Sequence, residues 1–295
     1  MPQDGIPACQ GPDPNPKKPS FIAPAGACDC HAHVFGPASR YDYSPKRGYT
    51  PPDASVEDFM RLQKVLGLER GVLTQPSVYG TDNSAMMDAV AKYPDRLRAV
   101  AAVDDTITDD ELARLDVQGV RGIRVNIVDK GGMPFDDMSA VETIGRRVRD
   151  LGWHLEVLIH VSDFPNLQKT FSDFPVPVVF GHLGYMPTGN GLDDPGFREF
   201  LGLLREGRTW VKLTGTYRIT ARQTTPYDDV LPYARTLVET APDRVLWGSD
   251  WPHPFVSKPM PNDGDLFDML AEWVPDEALR KKILVDNPAA LYRFE

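Results

Sequence analysis

The sequence predicts an α/β fold, a closed (β/α)8 barrel of the TIM type, on three observations. Short apolar, β-branched runs alternate with helical patterns from about residue 27 onward, eight such runs can be counted, and no Pro/Ser/Gly-rich linker divides residues 27–295. Strand–helix alternation implies a parallel sheet, and eight units favour closure over the alternative, an open doubly wound sheet. A chain of 295 residues is also of the size these barrels reach as one domain.

The elements follow in order. Residues 1–20, MPQDGIPACQGPDPNPKKPS, are Pro-rich and polar and lack the apolar stretch of a signal peptide, so they are expected to form a flexible N-terminal arm. A single barrel domain is then expected over 21–295. Its strands are ACDCHAHVF (27–35), GVLTQPS (71–77), LRAVAAV (97–103), GIRVNIV (122–128), WHLEVLIH (153–160), VPVVFGHL (176–183), TWVKLTG (209–215) and RVLWGSD (244–250). Between them, Ser55 opens a segment with Phe59, Leu62, Val65 and Leu66 on one helical face. Thr108-x-x-Glu111 and Ser139-x-x-Glu142 have the spacing of a capping box, in which two side chains satisfy the first free amides of a helix. The last segment, PDEALRKKILVDNPAALYRF, reads as two short helices split near Pro288.

Composition excludes several classes of function. Apolar residues make up 41% and charged residues 25%, as in ordinary globular proteins. The net charge is −10 and no run of five Lys/Arg occurs, which argues against nucleic acid and acidic membrane partners. No apolar stretch reaches ~18 residues, so no transmembrane helix is predicted and a cytoplasmic location is expected. Assembly into a homo-oligomer is left open. Cys9, Cys28 and Cys30 read as free thiols, because i and i+2 neighbours on a strand are poorly placed for a disulfide. A zinc site at Cys28 and Cys30 has no second CxC or CxxC to support it.

Barrel active sites sit at the C-terminal ends of the strands. Strand 1 ends Asp29-Cys30-His31-Ala32-His33, and histidines at i and i+2 can turn both imidazoles to one metal ion. Strand 6 ends in Gly181-His182, and strand 8 runs into Gly248-Ser249-Asp250-Trp251-Pro252-His253. Taken singly, His182 is an ordinary core histidine and Asp250 a helix cap. Taken together they are harder to dismiss: most of the six histidines (31, 33, 154, 160, 182 and 253) fall at predicted strand ends. Arg124 ends strand 4 and Arg218 follows strand 7, where guanidinium forks suit an anionic ligand; surface salt-bridging is the plain alternative. There is no GxSxG elbow, Walker A loop or GxGxxG after a strand.

These stretches, with AHVFGP (32–37), YSPKRGYTP (43–51), GTDN (80–83), GIRVN (122–126) and NPAALY (287–292), resemble the amidohydrolase superfamily of metal-dependent-hydrolase barrels. They are most similar to its 2-pyrone-4,6-dicarboxylate lactonase-like branch, and the likeness runs from about residue 20 to 293. The resemblance implies hydrolysis of a small anionic lactone from aromatic-compound catabolism. Asp250 would be the general base, and His31, His33 and His182 would polarise the lactone carbonyl. The histidines would act directly, or by holding with Asp250 one divalent metal, Zn²⁺ first and Mn²⁺ second, that relatives differ in needing. Tyr49 and Ser77 match positions that help hold a substrate carboxylate. His160 stands near the end of a strand where close lactonases carry Tyr, so it is expected to be a ligand or a substrate contact. His253 reads equally well as a structural hydrogen-bonding residue.

Two departures bear on the substrate. The pyrone enzymes carry an arginine shortly after the strand-4 Arg and another three residues past the strand-6 His, where this chain has Lys130 and Tyr185. Fewer guanidinium forks favour 4-sulfomuconolactone over the pyrone dicarboxylate. The competing readings are a decarboxylase or lactone isomerase of the same superfamily, and a non-catalytic ligand-binding barrel.

Overall fold

A computed structural model describes residues 5–295 except 129, 130, 132, 136 and 137. The eight expected runs are eight parallel strands: β1 Cys28–Ala32, β2 Arg70–Thr74, β3 Leu97–Ala101, β4 Val120–Asn126, β5 His154–Leu158, β6 Val178–Phe180, β7 Thr209–Leu213 and β8 Val245–Trp247. They are ordered β1 to β8 in space as in sequence. Closure comes at the far ends of β1 and β8, where Asp250 N donates to His31 O at 2.8 Å and His33 N to Trp251 O at 2.8 Å. The doubly wound alternative is excluded, because its strand order would reverse direction part-way across the sheet.

Two apolar layers hold the barrel. Cys28, Cys30, Val72, Val100, Val179, Trp210 and Leu246, from six strands, form an inner cluster that Tyr292 and Phe294 of the C-terminus complete. The helices cover the outside and share one larger core with the outward strand faces. Cys28 and Cys30 are therefore inner-core side chains, and all three cysteines are free.

The outer helices are α1 Val56–Leu66, α2 Ser84–Lys92, α3 Asp109–Val117, α4 Met138–Val148, α5 Leu167–Phe171, α6 Pro195–Arg205, α7 Thr216–Ile219, α8 Leu231–Thr240, α9 Asp263–Trp273, α10 Glu277–Lys281 and α11 Asn287–Tyr292. Ser55 with Asp58 and Thr108 with Glu111 form the capping boxes of α1 and α3. The box expected at Ser139 does not form. Helix α4 already includes Met138, which puts Ser139 inside its first turn, and Glu142 pairs instead with Arg146 one turn on. At the C-terminus the division falls before Pro288 rather than at it. A π-helical turn, Lys282–Asp286, joins α10 to α11, whose first turn takes the proline where a missing N–H costs nothing.

The segment expected to be a flexible arm is bonded along its described length. Cys9 N donates to Thr50 O at 2.9 Å, Lys17 N to Asn262 Oδ1 at 2.9 Å, and Ser20 N to Asp268 Oδ1 at 2.7 Å. These are backbone and polar contacts, which a hydrophobic pattern does not announce. No helix among the described residues is long and apolar enough to cross a membrane.

Candidate active site

A bulge in β1 between Asp29 and Ala32 turns His31 and then His33 toward the barrel mouth. Asp29 fixes that bend: its carboxylate accepts from His31 N and Ser249 N, each at 3.0 Å, and from Ser249 Oγ at 2.5 Å. Burial raises its pKa to about 6, partly offset by those donors. The chain after β8 then lies directly against β1. A Cβ on Gly248 would sit 2.7 Å from His31 Cβ, so only glycine permits the approach.

Asp250 follows in the left-handed region, φ 65°. Its Oδ2 accepts Tyr217 Oη at 2.5 Å and Arg218 Nε at 2.9 Å, while the buried Oδ1 has no hydrogen-bond partner. Burial alone would raise this carboxyl. The Arg218 charge overcomes it and holds Asp250 well below the carboxylate range.

The three histidines surround that oxygen. His33 Nδ1 lies 2.6 Å from Thr74 O, and since a carbonyl only accepts, Nδ1 carries the proton. Its Nε2 therefore turns a lone pair to Asp250 Oδ1, 3.4 Å away. His31 Nε2 is 3.5 Å from the same oxygen and is unbonded. His182 sits with its ring centroid 5.2 Å from that of His31, and Gly215 (φ 59°) passes so close that a Cβ there would meet His182 Nδ1 at 2.4 Å. Donor atoms of His31, His182 and Asp250 all lie within 4.8 Å of one another. His33 Nε2 reaches Asp250 Oδ1 at 3.4 Å and stands beside that mutual cluster. Burial, reinforced at His31 by the Lys212 charge, lowers His31 to about 3; burial also depresses His33 and His182. All three imidazoles are neutral near pH 7, as metal ligands must be.

Above them opens a cavity of about 240 Å³ lined by His33, Tyr49, Ser77, Arg124, His182, Tyr185, Arg218 and Asp250, with Phe255 at its edge. Phe255 stacks on Tyr49 at 5.6 Å. Arg124 is 5% exposed; its Nη1 donates to Gln75 O at 2.7 Å and its Nε is unpaired. Arg218 faces the cavity but is partly committed, with Nε on Asp250 and Nη2 on Pro254 O at 2.9 Å. His160 is brought neither to the metal cluster nor to the cavity wall. It sits behind Tyr185, donating from Nδ1 to Tyr185 O at 3.2 Å with the rings 4.4 Å apart. His253 pairs with Asp263 at 3.0 Å in the core, the structural arrangement. Lys130 lies outside the described residues.

A family model described as Amidohydrolase matches residues 28–294. The chain belongs to the amidohydrolase family. Among its relatives is a 4-sulfomuconolactone hydrolase of Rhizobium radiobacter, 42% identical over 98% of this chain and 97% of that one. A 2-pyrone-4,6-dicarboxylate hydrolase of Comamonas testosteroni is 41% identical over 94% of this chain and 93% of its own. Among solved structures, a probable 2-pyrone-4,6-dicarboxylic acid hydrolase of Acinetobacter baumannii with citric acid bound superimposes with a TM-score of 0.80. It is 30% identical and covers 91% of this chain and 100% of its own.

In this amidohydrolase, four polar residues of the site went unread in the sequence: Thr74, Glu156, Lys212 and Tyr217. Two carried a signal. Glu156 and Lys212 are charges in the middle of the apolar runs WHLEVLIH and TWVKLTG, where a charge is buried only with a partner. Here they are each other's: Lys212 Nζ donates to Glu156 Oε2 at 2.5 Å, and neither is more than 2% exposed.

Proposed function

We propose that this amidohydrolase hydrolyses a small anionic lactone, with 4-sulfomuconolactone preferred over 2-pyrone-4,6-dicarboxylate. The observation that carries the reading is the single free oxygen of Asp250, ionised, buried and facing the cavity beside three neutral histidines. The relatives act on these two lactones by name, and a polycarboxylate occupies one related structure. Tyr185 in the cavity wall supports the preference, since it offers a neutral hydroxyl where the pyrone enzymes resembled by the sequence have a guanidinium.

The chemistry follows from the atoms. A water beside Asp250 Oδ1 gives that oxygen a proton as its own oxygen bonds to the lactone carbonyl carbon. The carbon–oxygen ring bond then breaks, and the leaving ring oxygen takes the proton back from Asp250. The product is a ring-opened carboxylic acid, one water heavier than the lactone. Tyr217 and Arg218 hold Oδ2, so the reacting oxygen is fixed and charged before substrate arrives. Arg124, with an unpaired donor beside the cavity, binds the substrate's anionic group, and Tyr49, Ser77 and Tyr185 shape the ring's place.

The sequence left open whether the histidines act directly or through an ion. Direct donation fails at His33, whose proton is spent on Thr74 O. Two unshared acceptors, His31 Nε2 and Asp250 Oδ1, are buried against that lone pair, and such a convergence fits a divalent cation. His31, His182 and Asp250 would hold it, with His33 alongside; neutral imidazoles and a carboxylate suit zinc. A bound ion would supply Lewis acidity for polarising the lactone carbonyl.

The test is a panel of anionic lactones followed by loss of ring absorbance and product mass, with metal content measured on the same sample. A product lacking the added water, or release of CO2, would refute the hydrolase reading.

A further inference from the structure

Below the proposed metal cluster, His31 Nδ1 has two charged neighbours. Glu156 Oε1 is 3.1 Å away and Lys212 Nζ 3.2 Å, both enclosed in the barrel. Which of them satisfies Nδ1 decides which nitrogen of His31 carries the proton, and so whether Nε2 offers the site a lone pair or a hydrogen.

Three observations choose between them. Lys212 already directs a proton at Glu156 Oε2, at 2.5 Å, leaving Oε1 as the acceptor turned to His31. Were Nδ1 bare, Glu156 Oε1 would face a lone pair at 3.1 Å, one negative end against another. And a hydrogen on Nε2 would find no bond, because Asp250 Oδ1 stands 3.5 Å off and neither atom has a hydrogen-bond partner. With the proton on Nδ1, Glu156 Oε1 has its donor and Lys212 stays paired through Glu156 Oε2, while a cation between Nε2 and Asp250 Oδ1 would complement both acceptors. His31 then matches His33, whose proton is likewise held on the far nitrogen by Thr74 O.

We infer that Glu156 and Lys212 are positioning residues for His31: Glu156 accepts the Nδ1 proton and aims the Nε2 lone pair at the metal cluster, and Lys212 holds Glu156 in place. This rests on the reading of His31, His182 and Asp250 as a metal site. A carboxylate behind a ligating histidine fixes its tautomer and strengthens its donor nitrogen, and its loss typically costs about 10–100-fold in metal affinity.

The experiment measures zinc affinity of the whole protein by competition with a chromophoric chelator, together with the ¹⁵N spectrum of labelled histidine. Wild type should show His31 protonated at Nδ1. Glu156→Gln, whose amide can turn an N–H toward Nδ1, should bind zinc about 10–100-fold more weakly and lose that signature. Because Glu156→Gln leaves Lys212 without its counter-charge, Glu156→Gln with Lys212→Met removes both charges and keeps the core filled; its zinc affinity should also fall. Wild type that holds zinc with either folded variant within twofold of it overturns the inference and leaves the metal reading standing. Wild type that holds no zinc refutes the metal reading. In that case the spectrum still decides the positioning role: Nδ1 protonation lost in Glu156→Gln sustains it, and an Nε2 proton on His31 overturns it.

Discussion

The backbone carbonyl of His31 accepts the amide of Asp250 at 2.8 Å, so one of the two bonds that close the barrel also sets the spacing of two residues of the candidate site. Neither backbone can shift without disturbing the junction of first and last strands. That junction is tight because Gly248 has no Cβ to strike His31. The predictions below concern what hangs from it.

Asp250→Asn should fold as wild type by circular dichroism and lose about 10²–10⁴-fold in kcat, because an amide does not accept the water proton near neutrality. Retention of more than half the wild-type kcat would exclude Asp250 as the base.

Arg124 and Arg218 should part company. Arg124→Met should lower kcat/KM about tenfold to a hundredfold on an anionic lactone and little on an uncharged one, since it removes a charged hydrogen bond of ~1.5–3 kcal/mol to the anion alone. Arg218→Met should impair both substrates, because Arg218 Nε holds Asp250. Steady-state kinetics on a charged and an uncharged lactone check this; a charge-selective loss at Arg218 would return it to a purely substrate-binding role.

Tyr217→Phe removes the hydroxyl that donates to Asp250 Oδ2 at 2.5 Å and leaves the ring in its packing. A hydrogen bond to an ionised group contributes ~1.5–3 kcal/mol, so kcat should fall at least about tenfold while KM holds. An unchanged kcat would show that Arg218 alone suffices to fix the base.

His31→Asn combined with His33→Asn should strip divalent metal from the purified protein. Elemental analysis is the measure, and the same metal content as wild type would defeat the ion-binding reading.

Stability should fall as pH drops below about 6.5. His31 and His154 are depressed by burial to about 3, so they gain protons on unfolding and withdraw stability as pH falls from the unfolded value toward 3. His33 and His182, also depressed, act in the same sense. Asp29 works against them: raised to about 6, its contribution is full below its unfolded value near 3.8 and lost as pH rises through 6. Each unmatched proton is worth about 1.4 kcal/mol per pH unit. His154→Gln, away from the metal cluster, should flatten the slope by about one such proton between pH 4 and 6. Urea unfolding across that range, with chelator present, reads it directly; an unaltered slope would mean His154 is already charged in the folded protein.

The sequence by itself determined the barrel and the rim of its site. Eight apolar runs at βα spacing leave a parallel sheet little choice but to close, and residues at the ends of those runs must gather at one mouth. That His31, His33, His182 and Asp250 come together there was legible for that reason. Only the tertiary structure decided what each of them is bonded to. Glu156 and Lys212 meet from strands 56 residues apart, and the commitment of Arg218 to Asp250 depends on a short helix after β7 meeting the chain that follows β8. His160 looked like a site residue because it stands near a strand end, yet β5 stops at Leu158 and the chain turns His160 behind Tyr185. Strand position is set by local pattern, which a sequence displays. The proton on a given nitrogen is set by a neighbour across the barrel, and that neighbour exists only once the barrel has closed.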